Sequence, residues 1–163
     1  MMDTLPEGLA KWHKFVGEQD TQALSEALAD DVIFRSPVLW KPKAGKDTAI
    51  LYLSNAVRVL EDFAYHRQFV GDNAVVLEFS AHVGSMSVKG VDIIQFNDAG
   101  QISDFEVMVR PATGLQALGA AMAQQLTIAD PSHERLLYWL PGKSVYKTKE
   151  QLFPHNLPRE HAQ

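Results

Sequence analysis

Residues 90–96 read Gly-Val-Asp-Ile-Ile-Gln-Phe, an apolar segment that carries a single carboxylate, Asp92, in its middle. Alternation places Asp92 and Ile94 on one side and Val91 and Ile93 on the other, which is typical of a β-strand. Both sides are apolar, whereas a sheet covered on one side only should alternate apolar and polar residues. The segment therefore predicts a strand whose two faces are both covered.

Further strands flank this one, because the hydrophobic period is two from residue 63 onward. The predicted strands span residues 63–70, 74–83, 88–96 and 102–110. Their connections are short and rich in Gly, Asp and Asn, which favour turns. Short connections join successive strands in hairpins. The sequence thus predicts an antiparallel sheet.

The first sixty residues are different, since their apolar residues recur at helical spacing. Three helices are predicted there, beginning after Pro6, at Asp20 as an N-cap, and at Asp47. The second is expected to end at Asp30 and Asp31. A short strand at 32–34 and a last helix at 111–126 complete the pattern. Helices followed by strands predict an α+β domain with the helices on one face of the sheet.

The chain has 163 residues, which we divide into a domain at residues 1–129 and a C-terminal extension at 130–163. The second face of the sheet then needs its own cover. Another copy of the same sheet would supply it, so we expect a homodimer through the outer sheet face. Cover by the extension is the alternative.

Composition excludes several classes of function. Fifteen Lys and Arg against twenty Asp and Glu give a net charge of −5, which argues against a nucleic-acid partner. The absence of cysteine excludes disulfides, thiol nucleophiles and Cys-based zinc sites. No dinucleotide, phosphate-loop or zinc motif occurs, so we expect no cofactor and no metal. Without an apolar run of about 18 residues or a secretory signal, we expect a cytoplasmic protein with no membrane contact.

Asp92 is the strongest candidate for chemistry. A carboxylate in an apolar environment either finds hydrogen-bond donors or stays protonated with a raised pKa. A neutral carboxylic acid in a cavity can donate a hydrogen bond to a developing oxyanion. The alternative is a structural aspartate that pairs with Arg110, Arg67 or a backbone amide.

Glu78 and His82 are weaker candidates on a neighbouring strand. Glu78 also interrupts an apolar run, and one interpretation is that it shares a cavity with Asp92 as a pair of carboxyls. The other interpretation is an ion pair with Lys89 or Arg110. His82 can titrate near neutral pH, although a lone histidine on a strand is usually a hydrogen-bonded surface group.

Three local signatures carry a family resemblance. Residues 29–38 read Ala-Asp-Asp-Val-Ile-Phe-Arg-Ser-Pro-Val, Gly45 leads into the third helix, and residues 90–102 run from the central strand through Asn-Asp-Ala-Gly. Residues 6–126 resemble the SnoaL-like, ketosteroid isomerase-like branch of the nuclear transport factor 2-like superfamily. The resemblance implies three helices folded against a strongly curved antiparallel sheet, a cone with an internal pocket, and commonly a dimer through the outer sheet face.

The resemblance also implies roles for individual positions. The proton-shuttling base of ketosteroid isomerases, an Asp directly before the Pro of the first signature, falls at Ser36, so classical-type steroid isomerisation is not expected. The oxyanion-hole Tyr of the first helix falls at Trp12, whose indole can donate one hydrogen bond. The oxyanion-hole Asp falls at Asp92. The resemblance therefore favours an Asp92 side chain that faces the pocket.

Two functions stay open at this point. The first is a cofactor-independent isomerase, cyclase or dehydratase type of enzyme for a small hydrophobic molecule, with Asp92 as acid or oxyanion donor and Glu78 as a base. The second is a non-catalytic binding or dimerisation module. In either case the expected ligand-binding residues are Trp12, Val16, Ser36, Tyr52, His82, Phe105, Val107 and Val109.

Overall fold

The computed structural model describes residues 5–129, so the predicted extension at 130–163 lies outside the described residues. The helices are α1 (Glu7–Glu18), α2 (Thr21–Ala27), α3 (Lys46–Val59) and α4 (Ala112–Ala129). The strands are β1 (Leu28–Arg35), β2 (Lys43–Ala44), β3 (Glu61–Val70), β4 (Ala74–Val83), β5 (Met86–Phe96) and β6 (Ile102–Arg110). The predicted α+β class is confirmed, with the helices packed on a curved sheet.

The strands form one sheet in the order β2-β1-β6-β5-β4-β3. The predicted hairpins are confirmed, because β3 to β6 pair in sequence as antiparallel neighbours. The prediction of a purely antiparallel sheet is wrong at β1, which lies parallel to β6. A parallel pair needs a long connection, and the chain between β1 and β6 supplies one.

The second helix is shorter than predicted. Asp20 caps it as expected, since its side chain accepts hydrogen bonds from the backbone N–H groups of Gln22 and Ala23. The helix ends at Ala27 rather than at Asp31, because Leu28 already has an extended backbone and pairs with Ile102 of β6. Pairing with a distant strand therefore ends the helix up to four residues before the position predicted from local spacing.

The sheet has one face covered by the helices, which we call the inner face, and an opposite outer face. Inner side chains include Leu77, Phe79, Ile94 and Phe105, all fully buried. Leu77, Ile94 and Phe105 pack with apolar residues of α1 and α3 into the main hydrophobic core. The inner face is thus the floor of the domain, and helices form the rest of its walls.

Gly90 on β5 allows a close approach at the floor. A Cβ atom at this position would lie 2.5 Å from the Met108 carbonyl oxygen and 2.5 Å from the Phe79 ring. Both distances are below any ordinary van der Waals contact. The absent side chain therefore lets the Phe79 ring lie against the strand that carries Asp92.

We expect Gly90→Ala to lower the free energy of unfolding by about 1–3 kcal/mol, because the added methyl group overpacks the sheet. Urea denaturation followed by circular dichroism measures this change. Gly71→Ala is the matched control, since a Cβ there would meet its nearest atom at 3.5 Å, an ordinary contact. Equal denaturation midpoints for the two variants would contradict the steric account.

Candidate functional site

An apolar cavity lies between the inner face of the sheet and the helices. Its volume is about 90 Å³, several times the space that one water molecule needs. Helices α3 and α4 supply much of the wall, and the floor comes from β4, β5 and β6. Nearly all lining side chains are apolar, which is the usual character of small-molecule sites.

Asp92 is the carboxylate at this cavity. It lies in the middle of β5, opposite Leu77 of β4 and Val107 of β6, and is 4% exposed. Its partner is Tyr65, whose hydroxyl donates a 2.6 Å hydrogen bond to Oδ2. Among residues 5–129 neither Arg110, Arg67 nor a backbone amide pairs with it, so the alternative of such a structural pair is wrong.

Tyr65 is itself held by the first helix. The indole Nε1–H of Trp12 donates a 2.8 Å hydrogen bond to the Tyr65 hydroxyl oxygen. The Trp12 ring is fixed in turn by an edge contact with Phe105, with 4.7 Å between ring centroids. A hydrogen-bonded chain thus runs from α1 through β3 to β5 and ends at the cavity carboxyl.

The environment changes the pKa values of Tyr65 and Asp92, the two titratable groups joined by these hydrogen bonds. Burial raises the pKa of Asp92 to about 7, against the opposing effect of the Tyr65 hydrogen bond. Burial and the neighbouring Asp92 carboxylate raise the pKa of Tyr65 well above its ordinary value. Near neutral pH, Tyr65 is therefore a fixed hydrogen-bond donor, whereas Asp92 exchanges between a neutral acid and a carboxylate.

Seven of the residues singled out from the sequence line the cavity. Ser36 is one of them, but its hydroxyl oxygen accepts hydrogen bonds from the backbone N–H groups of Val38 at 3.2 Å and Leu39 at 3.4 Å. It therefore holds the loop after β1 at the cavity. Tyr52 is another, and burial raises its pKa. The seven residues are Trp12, Ser36, Tyr52, Asp92, Phe105, Val107 and Val109.

Glu78 lies on the outer face, so the predicted carboxyl pair with Asp92 is wrong. The register of β4 against β5 sets Leu77 opposite Asp92 and Glu78 opposite Val91, which turns the two carboxyls to opposite faces. Glu78 pairs with Arg67 and, at 3.1 Å, with Lys89. The Arg67 guanidinium, with help from Lys89, lowers the pKa of Glu78 to about 2.

Two other predicted ligand-binding residues are also away from the cavity. His82 is exposed on the outer face, where its Nδ1 lies 3.6 Å from a carboxylate oxygen of Asp62. Val16 is half-buried and packs against the main core without lining the cavity. Neither residue is placed to contact a bound ligand.

Sequence reasoning did not identify Tyr65 as a residue of the site. A usable signal was present, because alternation along β3 places Phe63 and Tyr65 on one face, and Phe63 lines the cavity. The lining residues from α4, such as Leu118 and Met122, were not expected either. A helical apolar stripe is the same whether it packs on a core or bounds a cavity.

Residues 5–129 contain no cluster of three or more potential metal-ligating side chains. Nor does any helix in this part of the chain combine the length and apolar character needed to cross a membrane.

Helices on one face of a curved mixed sheet, with a carboxyl in an apolar cavity between them, define a pocket-bearing protein of the nuclear transport factor 2-like class. The chain belongs to the SnoaL-like domain family, whose model matches residues 9–105. The resemblance seen in the sequence is therefore confirmed. No curated protein matches this chain.

Several proteins of known structure are similar to this chain. The chain is 46% identical to a steroid delta-isomerase from Pseudomonas aeruginosa, over 77% of this chain and 98% of that one, with a TM-score of 0.74. An uncharacterised protein with a cystatin-like fold from Silicibacter pomeroyi is 30% identical over 82% of this chain and 94% of that one, with a TM-score of 0.74. A hypothetical protein with a ketosteroid isomerase-like fold from Catenulispora acidiphila, in complex with trimethylamine, is 13% identical over 71% of this chain and 93% of that one. Its TM-score is 0.54, and this likeness shows the fold alone.

The raised pKa of Asp92 predicts a pH-dependent stability. The folded protein holds this proton more tightly than the unfolded chain, so the free energy of unfolding falls as pH rises from 3.8 to about 7. The loss is at most about 4 kcal/mol, since one pKa unit corresponds to about 1.4 kcal/mol. Asp92→Asn removes the titration and should flatten this part of the profile. Urea denaturation at a series of pH values measures both proteins, and parallel profiles would contradict the burial of an ionisable carboxyl.

Proposed function

We propose that the chain binds a small, mostly apolar molecule that carries an acceptor oxygen, such as a ketone, and that Asp92 donates a hydrogen bond to that oxygen. The observation that carries the proposal is that Asp92 is buried and is the one carboxyl among residues 5–129 that lines the otherwise apolar cavity. Apolar walls bind the hydrocarbon part of a ligand, and one well-placed polar group fixes its orientation.

The same geometry supports isomerase-type chemistry at the carbonyl. A neutral carboxylic acid stabilises the negative charge that develops on the oxygen when a neighbouring C–H bond is broken. Similarity to a steroid delta-isomerase agrees with this class of reaction. Asp92 would serve as the oxyanion donor, and the role of base predicted for Glu78 is not part of the proposal, because Glu78 faces the outer side.

Binding without turnover is the second candidate, and one observation favours it. Among residues 5–129, no second carboxylate and no histidine lines the cavity. Ser36 stands at the position of the base that the family resemblance implies, and its hydroxyl is engaged with backbone N–H groups. Proton abstraction therefore lacks an evident protein base, whereas ligand binding needs none.

We expect Asp92→Leu to weaken binding of cyclohexanone by about tenfold, because it removes one hydrogen bond in a buried site. Calorimetry or ligand-observed NMR measures the dissociation constant at about pH 6, where the wild-type carboxyl is mostly neutral. Glu78→Met is the matched control, since it replaces a carboxyl on the adjacent strand but on the outer face, and it should leave the affinity unchanged.

Catalysis is separated from binding in the same samples by following deuterium exchange at the carbon next to the ketone. Exchange by the wild type that is lost in Asp92→Leu and kept in Glu78→Met supports the isomerase type of activity. Binding without exchange supports the non-catalytic candidate. Equal affinities for Asp92→Leu and wild type would show that Asp92 does not contact the ligand and would overturn the proposal.

We further propose a homodimer through the outer sheet face. This face carries half-exposed Val76, Val91 and Ile93 together with exposed Met108 and Phe69, which are 51% and 55% accessible. Exposed apolar side chains grouped on one sheet face are typical of an interface. A second copy related by two-fold symmetry would cover this face with the same face of its own.

Introducing a charge into this face should separate the subunits. We expect Met108→Glu to convert a dimer into a monomer in size-exclusion chromatography with light scattering, because an unpaired carboxylate would be buried at the interface. Trp40→Glu, at a fully exposed position outside the sheet, is the control and should remain dimeric. A monomeric wild type would contradict the proposal.

We also propose that residues 1–129 form the binding domain and that residues 130–163 form an extension to it. A cytoplasmic location stays a prediction from the sequence.

A further inference from the structure

The hydrogen bonds that end at Asp92 have a direction. An indole N–H donates and has no acceptor atom in its plane, so Trp12 must donate to the Tyr65 oxygen. A phenol has one proton and can accept at its oxygen at the same time. Within the described residues, the carboxyl of Asp92 is the acceptor that the Tyr65 proton reaches. Tyr65 therefore donates to Oδ2 in both protonation states of the carboxyl.

This direction decides where the proton of neutral Asp92 is held. Oδ2 already accepts the Tyr65 proton at 2.6 Å. The other oxygen, Oδ1, has no hydrogen-bond partner within residues 5–129, and Asp92 lines the cavity. A proton on Oδ2 would compete with the Tyr65 hydrogen, whereas a proton on Oδ1 does not. The neutral acid thus carries its O–H on Oδ1.

We infer that Trp12 and Tyr65 are positioning residues, which turn the O–H of neutral Asp92 toward the cavity so that it selects neutral molecules with an acceptor oxygen over ammonium ions. The direction of the hydrogen bonds from Trp12 to Tyr65 and from Tyr65 to Asp92 follows from these two contacts alone. The ligand class rests on the proposed function.

No other charged side chain competes with Asp92 at the cavity, as far as residues 5–129 are concerned. Helix α1 brings Trp12 and also His13, whose ring lies 5.4 Å from that of Tyr65 and whose pKa is lowered by burial. Helix α3 brings Tyr52, and the residues of α4 and β6 at the cavity are apolar. Asp92 is therefore the group whose titration sets the charge of the cavity.

The preference for ligands should follow that titration. Below the pKa of Asp92 the cavity presents an O–H donor, which suits a ketone oxygen. Above it the cavity presents a carboxylate, which repels a ketone oxygen and attracts an ammonium group. Cyclohexanone and cyclohexylamine are matched probes, because they share one ring and differ in the polar group.

Tyr65→Phe is the decisive variant, since it removes the hydroxyl and keeps the ring. We expect the pKa of Asp92, followed by carboxyl ¹³C NMR, to rise by about one unit, because the carboxylate loses a donor. Cyclohexanone affinity at about pH 5.5 should fall about twofold, since the acid proton is then free to occupy either oxygen and only half of the molecules present it on Oδ1. The decline of that affinity with pH should move upward together with the pKa.

His13→Gln is the matched control, because it removes the ring beside Tyr65 and leaves both hydrogen bonds of the chain intact. It should keep the pKa of Asp92 and the affinity for cyclohexanone. A pKa that is the same in Tyr65→Phe as in wild type overturns the positioning role. Tighter binding of cyclohexylamine than of cyclohexanone at about pH 5.5 overturns the selection for an acceptor oxygen.

If cyclohexanone does not bind the wild type, the proposed function and the ligand class are both overturned. The pKa shift in Tyr65→Phe would still support the direction of the hydrogen-bonded chain, because that measurement needs no ligand.

Discussion

The hydrogen bond from Tyr65 to Asp92 is the contact on which the site depends. It satisfies one oxygen of a carboxyl that is otherwise surrounded by apolar side chains. A buried carboxylate without any donor would be strongly disfavoured, and one with several donors would be permanently ionised. One donor gives the intermediate case, with a pKa raised to about 7. The cavity can therefore present either an acid or its carboxylate near neutral pH.

The sheet shows how environment alone separates the pKa values of two carboxyl groups. Asp92 and Glu78 lie on adjacent strands, yet burial raises the pKa of Asp92 to about 7, while Arg67 lowers that of Glu78 to about 2. The first faces an apolar cavity, and the second faces an ionic cluster on the outer side. Because side chains alternate between faces, a shift of one residue in this register would place both carboxyls on the same face. The register of β4 against β5 thus keeps the two carboxyls in different environments.

Much of the fold could be predicted from the sequence, because periodicity and turn residues are local signals. The strands at 74–83 and 102–110 have their predicted bounds. The parallel pairing of β1 with β6 could not be predicted, since it joins segments distant in the chain. For the site, alternation identified Asp92 as an unusual carboxyl, but the faces of Asp92 and Glu78 depend on cross-strand register. Tyr65 was missed because its role comes from contacts with Trp12 and Asp92, which lie on other elements.

The chain belongs to the SnoaL-like domain family and is 46% identical to a steroid delta-isomerase over 77% of its length. Among residues 5–129, Asp92 is the one carboxyl that lines the cavity. The central claim is that Asp92 is a buried acid that titrates near neutral pH. A ¹³C NMR titration of its side-chain carboxyl in the wild-type protein tests this claim directly. The account predicts a midpoint at about pH 7, and a midpoint at the ordinary value of 3.8 would contradict it.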